Sequence, residues 1–407
     1  MDSVEAPAKR ADRLDHRIYL LAFAIFATGT DAGVVAGMLP QIAQDFHVGI
    51  GVASQLLTAY AITYAVGSPF FGVIASQYRS ERIILVCLVS FASAVALSAA
   101  APGIAVLLVA RVLAASFSAT YSPAAFALAA ALSPPDRRGA GLSMVGSGFV
   151  ATQVTSVPIG IWVAYHLGWR VTFGIDVMLV VLAAAALWFA RLPETAKPPS
   201  ISLQARLAPL TRPTTMGALM AKIIAATAVN IVWLFVAVLF GPRYGADGVA
   251  LLFAVLGLGG LAGSQLGGRL ADRFGPTRSI GYCLAGIIVD LALLNLMAST
   301  FAGTVIALFI LTCFSWATFP AFQSFLLGLE PDHGIVVLSL NNATSYLGLG
   351  IGAALGSFVI GTGHTSALPY VGCVVAMLAL ATWLICNRTR ATDLRVASPS
   401  EESTAKR

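Results

Sequence analysis

The sequence predicts an all-α membrane protein, with twelve transmembrane helices arranged as two pseudo-symmetric six-helix bundles. Three observations carry this. First, 58% of the 407 residues are hydrophobic and only 10% are charged, where a soluble domain carries roughly 25% charged residues. The mean hydropathy is +0.86. Second, apolar runs of the ~20 residues needed to cross a bilayer recur twelve times along the chain. Third, the basic residues fall almost wholly on one side of those runs. This composition excludes an ordinary soluble enzyme, a disordered chain and a disulfide-stapled domain. The five cysteines lie in or at the end of apolar runs with no CxxC spacing, so they read as small buried residues, neither disulfides nor metal ligands.

Six spans are predicted at 18–40, 51–75, 82–101, 104–131, 139–164 and 170–190, and six more at 215–240, 248–270, 278–299, 302–328, 334–360 and 368–387. The first run is too long for a cleavable signal and carries Asp31. The runs are continuous, not alternating, which excludes a transmembrane barrel. With both termini placed in the cytoplasm, the inner segments hold 20 of the 24 Lys and Arg residues and the outer loops hold only Arg170 and Arg243. That split satisfies the positive-inside rule and requires an even number of crossings. The net charge of +6 therefore serves topology, and no nucleic-acid partner is expected. The expected setting is the plasma (inner) membrane, with the lipid bilayer as surrounding partner and the chain acting as a monomer.

The organisation follows from polar segments. Residues 1–17 form a cytoplasmic tail, 18–190 the first bundle, 191–214 a Pro- and Ser/Thr-rich linker, 215–387 the second bundle and 388–407 a polar, mobile tail. The halves match at an offset of 196 residues, with Gly67, Ser68, Gly72, Ala75, Arg82 and Ile84 repeated as Gly263, Ser264, Gly268, Ala271, Arg278 and Ile280. Both segments sit at the inner end of the second span of their half, as a duplicated six-helix unit requires.

Five ionisable residues other than His lie inside spans: Asp31, Arg111, Asp176, Lys222 and Asp290. Each costs ~3 kcal/mol on insertion scales near the bilayer centre and so needs a partner or a cavity. At 1.5 Å per residue, Asp31 in span one and Arg111 in span four both lie ~20 Å above the inner face. They share a level and are placed to meet. Either Asp31 takes and releases a proton with Arg111 as its electrostatic switch, or the two form a permanent neutralising pair. Lys222 is expected to snorkel to the inner interface, and Asp176 to lie near the outer interface. Asp290 is expected to bond locally, with Asn295 as one partner.

Polar side chains within the spans supply candidates for a mostly apolar substrate cavity: Tyr60, Tyr64, Gln153, Asn230, Trp233, Gln323, Asn341, Asn342 and Tyr346. Each has the competing reading of a helix–helix hydrogen bond. Asn341, Asn342 and Tyr346 form the strongest second-half cluster. Pro158 and Gly160 in span five, and Pro320 in span ten, mark bends. Glycines 257, 259, 260, 263, 267 and 268 let span eight approach a neighbour closely. No Walker A, HExxH or GxSxG motif is present. The residues call for no enzyme, cofactor or metal.

The segment Gly267-Gly-Arg-Leu-Ala-Asp-Arg-Phe-Gly-Pro-Thr-Arg278 resembles the G-x-L-A-D-R-x-G-R-K/R signature of the major facilitator superfamily. With Gly37-Met-Leu-Pro-Gln-Ile-Ala-Gln-Asp-Phe46, Val157-Pro-Ile-Gly160 and Leu167-Gly-Trp-Arg-Val-Thr-Phe173, the chain resembles the twelve-span drug:proton antiporter group, and within it the arabinose, sugar and purine-nucleoside efflux branch. The resemblance implies proton-coupled efflux of a small-molecule substrate (a drug, sugar or nucleoside) by alternating access, with protons as the coupling partner. Import on the same scaffold is the alternative, and a non-transporting membrane sensor the alternative of another class. The resemblance also implies a gating role for Gly268, Asp272, Arg273, Gly275 and Arg278, and it matches Arg111 to the basic residue of span four. Two departures stand out. Ser76 replaces the usual Asp of the first-half signature, and the span-five signature G-P-x-x-G-G is reduced to Val157-Pro-Ile-Gly-Ile161.

Overall fold

The computed structural model describes residues 14–75, 79–134, 137–193, 208–330 and 334–397, and no strand occurs among them. Ser76, the N-terminal tail and most of the linker lie outside the described residues. The first bundle comprises α1 (His16–Asp45), α2 (Gln55–Ala75), α3 (Ser80–Ala99), α4 (Ile104–Leu132), α5 (Arg138–Leu167) and α6 (Trp169–Phe189). Predicted and observed limits agree within a few residues at most ends.

The second bundle opens with a continuous apolar stretch, Pro213–Phe274, of 62 residues. At 1.5 Å per residue it would extend about 93 Å, three times a bilayer core, so it must fold back. The reversal falls at Gly245, where φ is 65° and ψ −169°, a conformation that residues with a Cβ rarely adopt. It divides the stretch into α7 (213–244, interrupted by a turn at Leu234–Phe235) and α8 (246–274). Then follow α9 (Pro276–Met297), α10 (Phe301–Leu329), α11 (Gly334–Gly361) and α12 (Leu368–Ala397). The last helix runs ten residues past the predicted end of its span, so the segment after 387 is helical as far as 397.

With twelve crossings, the start of α1 and the end of α12 share one face, called here the terminal face. The opposite one is the far face. Each half places four helices centrally and two outside. The outer ones pair with each other, α3 with α6 and α9 with α12. They turn large apolar side chains outward, among them Val86, Leu182, Phe189, Val289, Leu296 and Ile385. In lipid this costs nothing, because the tails are as apolar as the side chains.

The halves meet along two symmetry-related seams, α2 with α11 and α5 with α8. At the far face the hydroxyls of Ser54 and Ser357 hydrogen-bond across the first seam. The Trp162 indole donates to Asp247 at 3.0 Å across the second. At mid-depth the rings of Tyr64 and Tyr346 stack with centroids 3.7 Å apart, and Phe149 lies 5.9 Å from Trp316. Gly257 of α8 touches the backbone of α5 at Gln153, and Gly263 and Gly267 touch the backbone of α10 at Cys313 and Ala317. A side chain at any of these three would hold the backbones apart. Gly268 has open space around it, so close packing is not its role.

Candidate functional site

The site centres on α1 and α4. Asp31 and Arg111 meet as the depth count predicts. Nη1 of Arg111 donates to Oδ1 of Asp31 at 2.7 Å, and Nη2 donates to Oδ2. The pair is bidentate, the strongest geometry open to a guanidinium and a carboxylate. Both side chains are buried, at 1% and 0% exposure. The guanidinium is flanked by the Tyr60 ring at 4.9 Å and the Phe173 ring at 5.7 Å. These π faces replace part of its lost hydration. Its Nε–H has no acceptor.

Asp31, Tyr60 and Arg111 border a cavity closed from the second half by Leu234, Tyr346 and Leu349. Its volume is about 30 Å³, room for water but not for a small organic molecule. A small-molecule site needs roughly 300–1,000 Å³. The conformation described is therefore occluded at this level, and the halves must part to admit a substrate.

The other cavity candidates divide. Tyr60 and Tyr346 line the cavity, and the Tyr64 hydroxyl faces Ser122, Tyr346 and Asn342. Asn342 and Tyr346 are four residues apart and share a helix face. Asn341 lies ~100° further round, is fully buried, and has neither amide atom partnered, so the expected three-residue cluster is a pair. The Asn230 amide donates to the Ala226 carbonyl at 2.8 Å, the competing reading. Trp233 packs its ring 6.0 Å from Phe253, and Gln323 is half-buried. Gln153 belongs to a π-helical turn, Thr152–Ser156. Pro158, which lacks an N–H, follows directly and explains the irregular ladder. Gly160 packs on Val34, where a Cβ would lie 2.7 Å from a methyl group.

Several expectations are overturned. Asp176 is not interfacial: it is 1% exposed, and neither carboxyl oxygen has a partner. It lies within electrostatic reach of Asp31 and Arg111. Seven residues separate Asp176 from the start of α6, as seven separate Arg111 from the start of α4. The depth count gives its level but not which side of α6 faces the bundle. Lys222 does not snorkel. It is 4% exposed, with Nζ 4.7 Å from the Phe319 ring and 5.4 Å from Phe322, and the aromatic faces take the place of interfacial water. Asp290 is also buried, but Asn295 is engaged elsewhere, donating to the Ser366 carbonyl at 2.8 Å. Glu330, which the sequence reading passed over, is 1% exposed and takes Arg212 at 2.8 Å and the Thr215 hydroxyl at 3.0 Å.

At the terminal face, Gly275 adopts φ 77° between α8 and α9. Asp272 does not cap α9, because it lies in the last turn of α8, exposed. Arg273 stacks over Phe274 at 5.5 Å and does not bridge to the opposite bundle. Neither has an ion pair among the described residues.

Two six-helix bundles around a buried, charged, inter-bundle cavity define a multi-pass membrane transporter. Residues 21–334 match the family model of the Major Facilitator Superfamily, and the chain belongs to that family. It is 27% identical over 390 residues to the inner membrane transport protein YdhP of Escherichia coli (strain K12), covering 95% of this chain and all of the relative. It is 32% identical over 298 residues to a chloramphenicol resistance protein of Streptomyces lividans, covering 69% of this chain and 75% of the relative. Among solved structures, a D-xylose–proton symporter superposes with a TM-score of 0.74 at 14% identity, covering 90% of this chain and 96% of that one. That likeness speaks for the fold alone.

Proposed function

We propose that the protein is a proton-coupled exporter of a small organic molecule, working in the plasma membrane with both termini cytoplasmic. The observation that carries the reading is the buried Asp31–Arg111 pair at the edge of the inter-bundle cavity. A permanent structural pair has no need to border the surface along which the halves separate. Here, parting the halves exposes Asp31 to the cavity, where it takes or releases a proton while Arg111 supplies the opposing charge. The likeness to a chloramphenicol resistance protein and the efflux-type motifs favour export. One charge crossing 100 mV is worth about 2.3 kcal/mol, enough for roughly 50-fold accumulation.

The test uses inverted membrane vesicles with an acidic lumen and a pH-sensitive dye. Chloramphenicol, arabinose and a purine nucleoside are added in turn. Export by antiport predicts that an accepted compound dissipates the gradient as it enters the lumen. Import by symport on the same scaffold, the fold shared with the xylose–proton symporter, predicts that added compound enters the lumen only with protons and does not dissipate the gradient. Compound movement without proton movement rejects coupling altogether.

A further inference from the structure

The Asp31–Arg111 pair is balanced in charge, which leaves Asp176 unexplained. Its carboxyl is fully buried, and neither oxygen receives a hydrogen bond. One helical turn away on α6, Phe173 contacts the Arg111 guanidinium. Arg111 has its own idle group, the Nε–H without an acceptor. An orphan donor and two orphan acceptors thus lie in one buried cluster of two carboxyls and one guanidinium. The helices packed on α6 are α1, α3 and α5. On them, the charged side chains other than Asp31 sit towards the helix ends: His16, Arg17, Asp45, Glu81, Arg82, Arg138 and His166. The other titratable groups there are Tyr19, Cys87 and Tyr165, and on α4 Tyr121. Asp31 and Arg111 are the charges that Asp176 meets.

Two carboxylates and one guanidinium sum to one negative charge, and a buried ion without a partner is expensive. One proton makes the cluster neutral. We propose that Asp31 and Asp176 share that proton, with Asp176 as its store and Asp31 as its port to the cavity. This rests on the proton-coupled reading above and adds a second carboxyl to it.

In the conformation described, Arg111 grips Asp31, and the proton sits on Asp176, where no donor competes for the oxygens. When the halves part, the O–H bond on Asp176 breaks and one forms on Asp31. The guanidinium turns to the new carboxylate on Asp176. The cluster is neutral before and after. Release of the proton from Asp31 into the cavity leaves one negative charge, which the next proton cancels.

The test is infrared spectroscopy of the full-length protein in lipid at neutral pH, read in the protonated-carboxyl stretch and joined to thermal unfolding. Asp176→Asn should lose a protonated-carboxyl band that the wild type shows. Asp31→Asn should lose it too, because Asp176 must ionise to pair with Arg111. It should also unfold near the wild-type midpoint. Asp31→Asn with Asp176→Asn strands the cation and should lower the midpoint sharply, and adding Arg111→Leu should restore it. If Asp176→Asn does not fold, the Asp31→Asn spectrum still decides. A carboxyl region unchanged in either single variant, or a double variant as stable as Asp31→Asn, overturns the proposal. These readouts need no substrate. Failure of proton coupling itself appears separately, as wild-type vesicles that move a compound without protons.

Discussion

One substitution separates the proposed coupling role of Asp31 from its pairing with Arg111. Asp31→Asn keeps the shape and removes the charge. A buried pair broken on one side ordinarily costs 3–5 kcal/mol. Here Asp176 lies within electrostatic reach of the stranded guanidinium and, on the shared-proton proposal, ionises to replace Asp31, so we expect a loss of under ~1 kcal/mol by unfolding in detergent. Uphill transport should disappear while substrate binding persists. A midpoint drop of the full magnitude would mark Asp31 as a counter-ion alone. The pairing of Asp31 with Arg111 was legible in the sequence because depth follows from counting residues at 1.5 Å each. Asp176 and Lys222 were misread for a different reason. Their helices are apolar nearly all round, so periodicity does not reveal which side faces the bundle. Without that, a charge near a helix end reads as interfacial.

At the scale of elements, α8 offers a controlled comparison. Gly263 touches the α10 backbone, whereas Gly268 meets nothing. Gly263→Val should cost about 1–3 kcal/mol through overpacking, read as a lowered unfolding midpoint. Gly268→Ala should leave the midpoint unchanged. The stripe of glycines told the reader that α8 packs closely but not against what: α5 meets Gly257 and α10 meets Gly263 and Gly267. The reversal between α7 and α8 was legible because the apolar runs 215–240 and 248–270 are separate, but Gly245 as its pivot was not. The π-helical turn before Pro158 was legible only as a bend.

For the whole molecule, the contacts that close the far face make two expectations. Cysteines at Ser54 and Ser357, whose hydroxyls touch across the seam, should cross-link under oxidant, halt transport and release it on reduction. A cross-linked protein that still transports would show that this seam does not open. At the other face Asp272 is exposed and has no ion pair among the described residues. Asp272→Asn should therefore leave stability unchanged but slow transport, if the opposite state engages it. The two-bundle architecture was readable because duplication and the placement of basic residues are written in the chain. The conformation was not, since two packings of one sequence differ by only a few kcal/mol.

On the proposed reading, protons move through the Asp31–Arg111 cluster to drive export. The most direct measurement compares inverted vesicles holding the wild type with vesicles holding Asp31→Asn combined with Arg111→Leu, a charge-balanced replacement. The wild type should dissipate an acidic-inside gradient when an accepted compound is added, while the folded double variant should not. A double variant that still exchanged protons for substrate and accumulated it uphill would show that Asp31 and Arg111 carry no coupling proton.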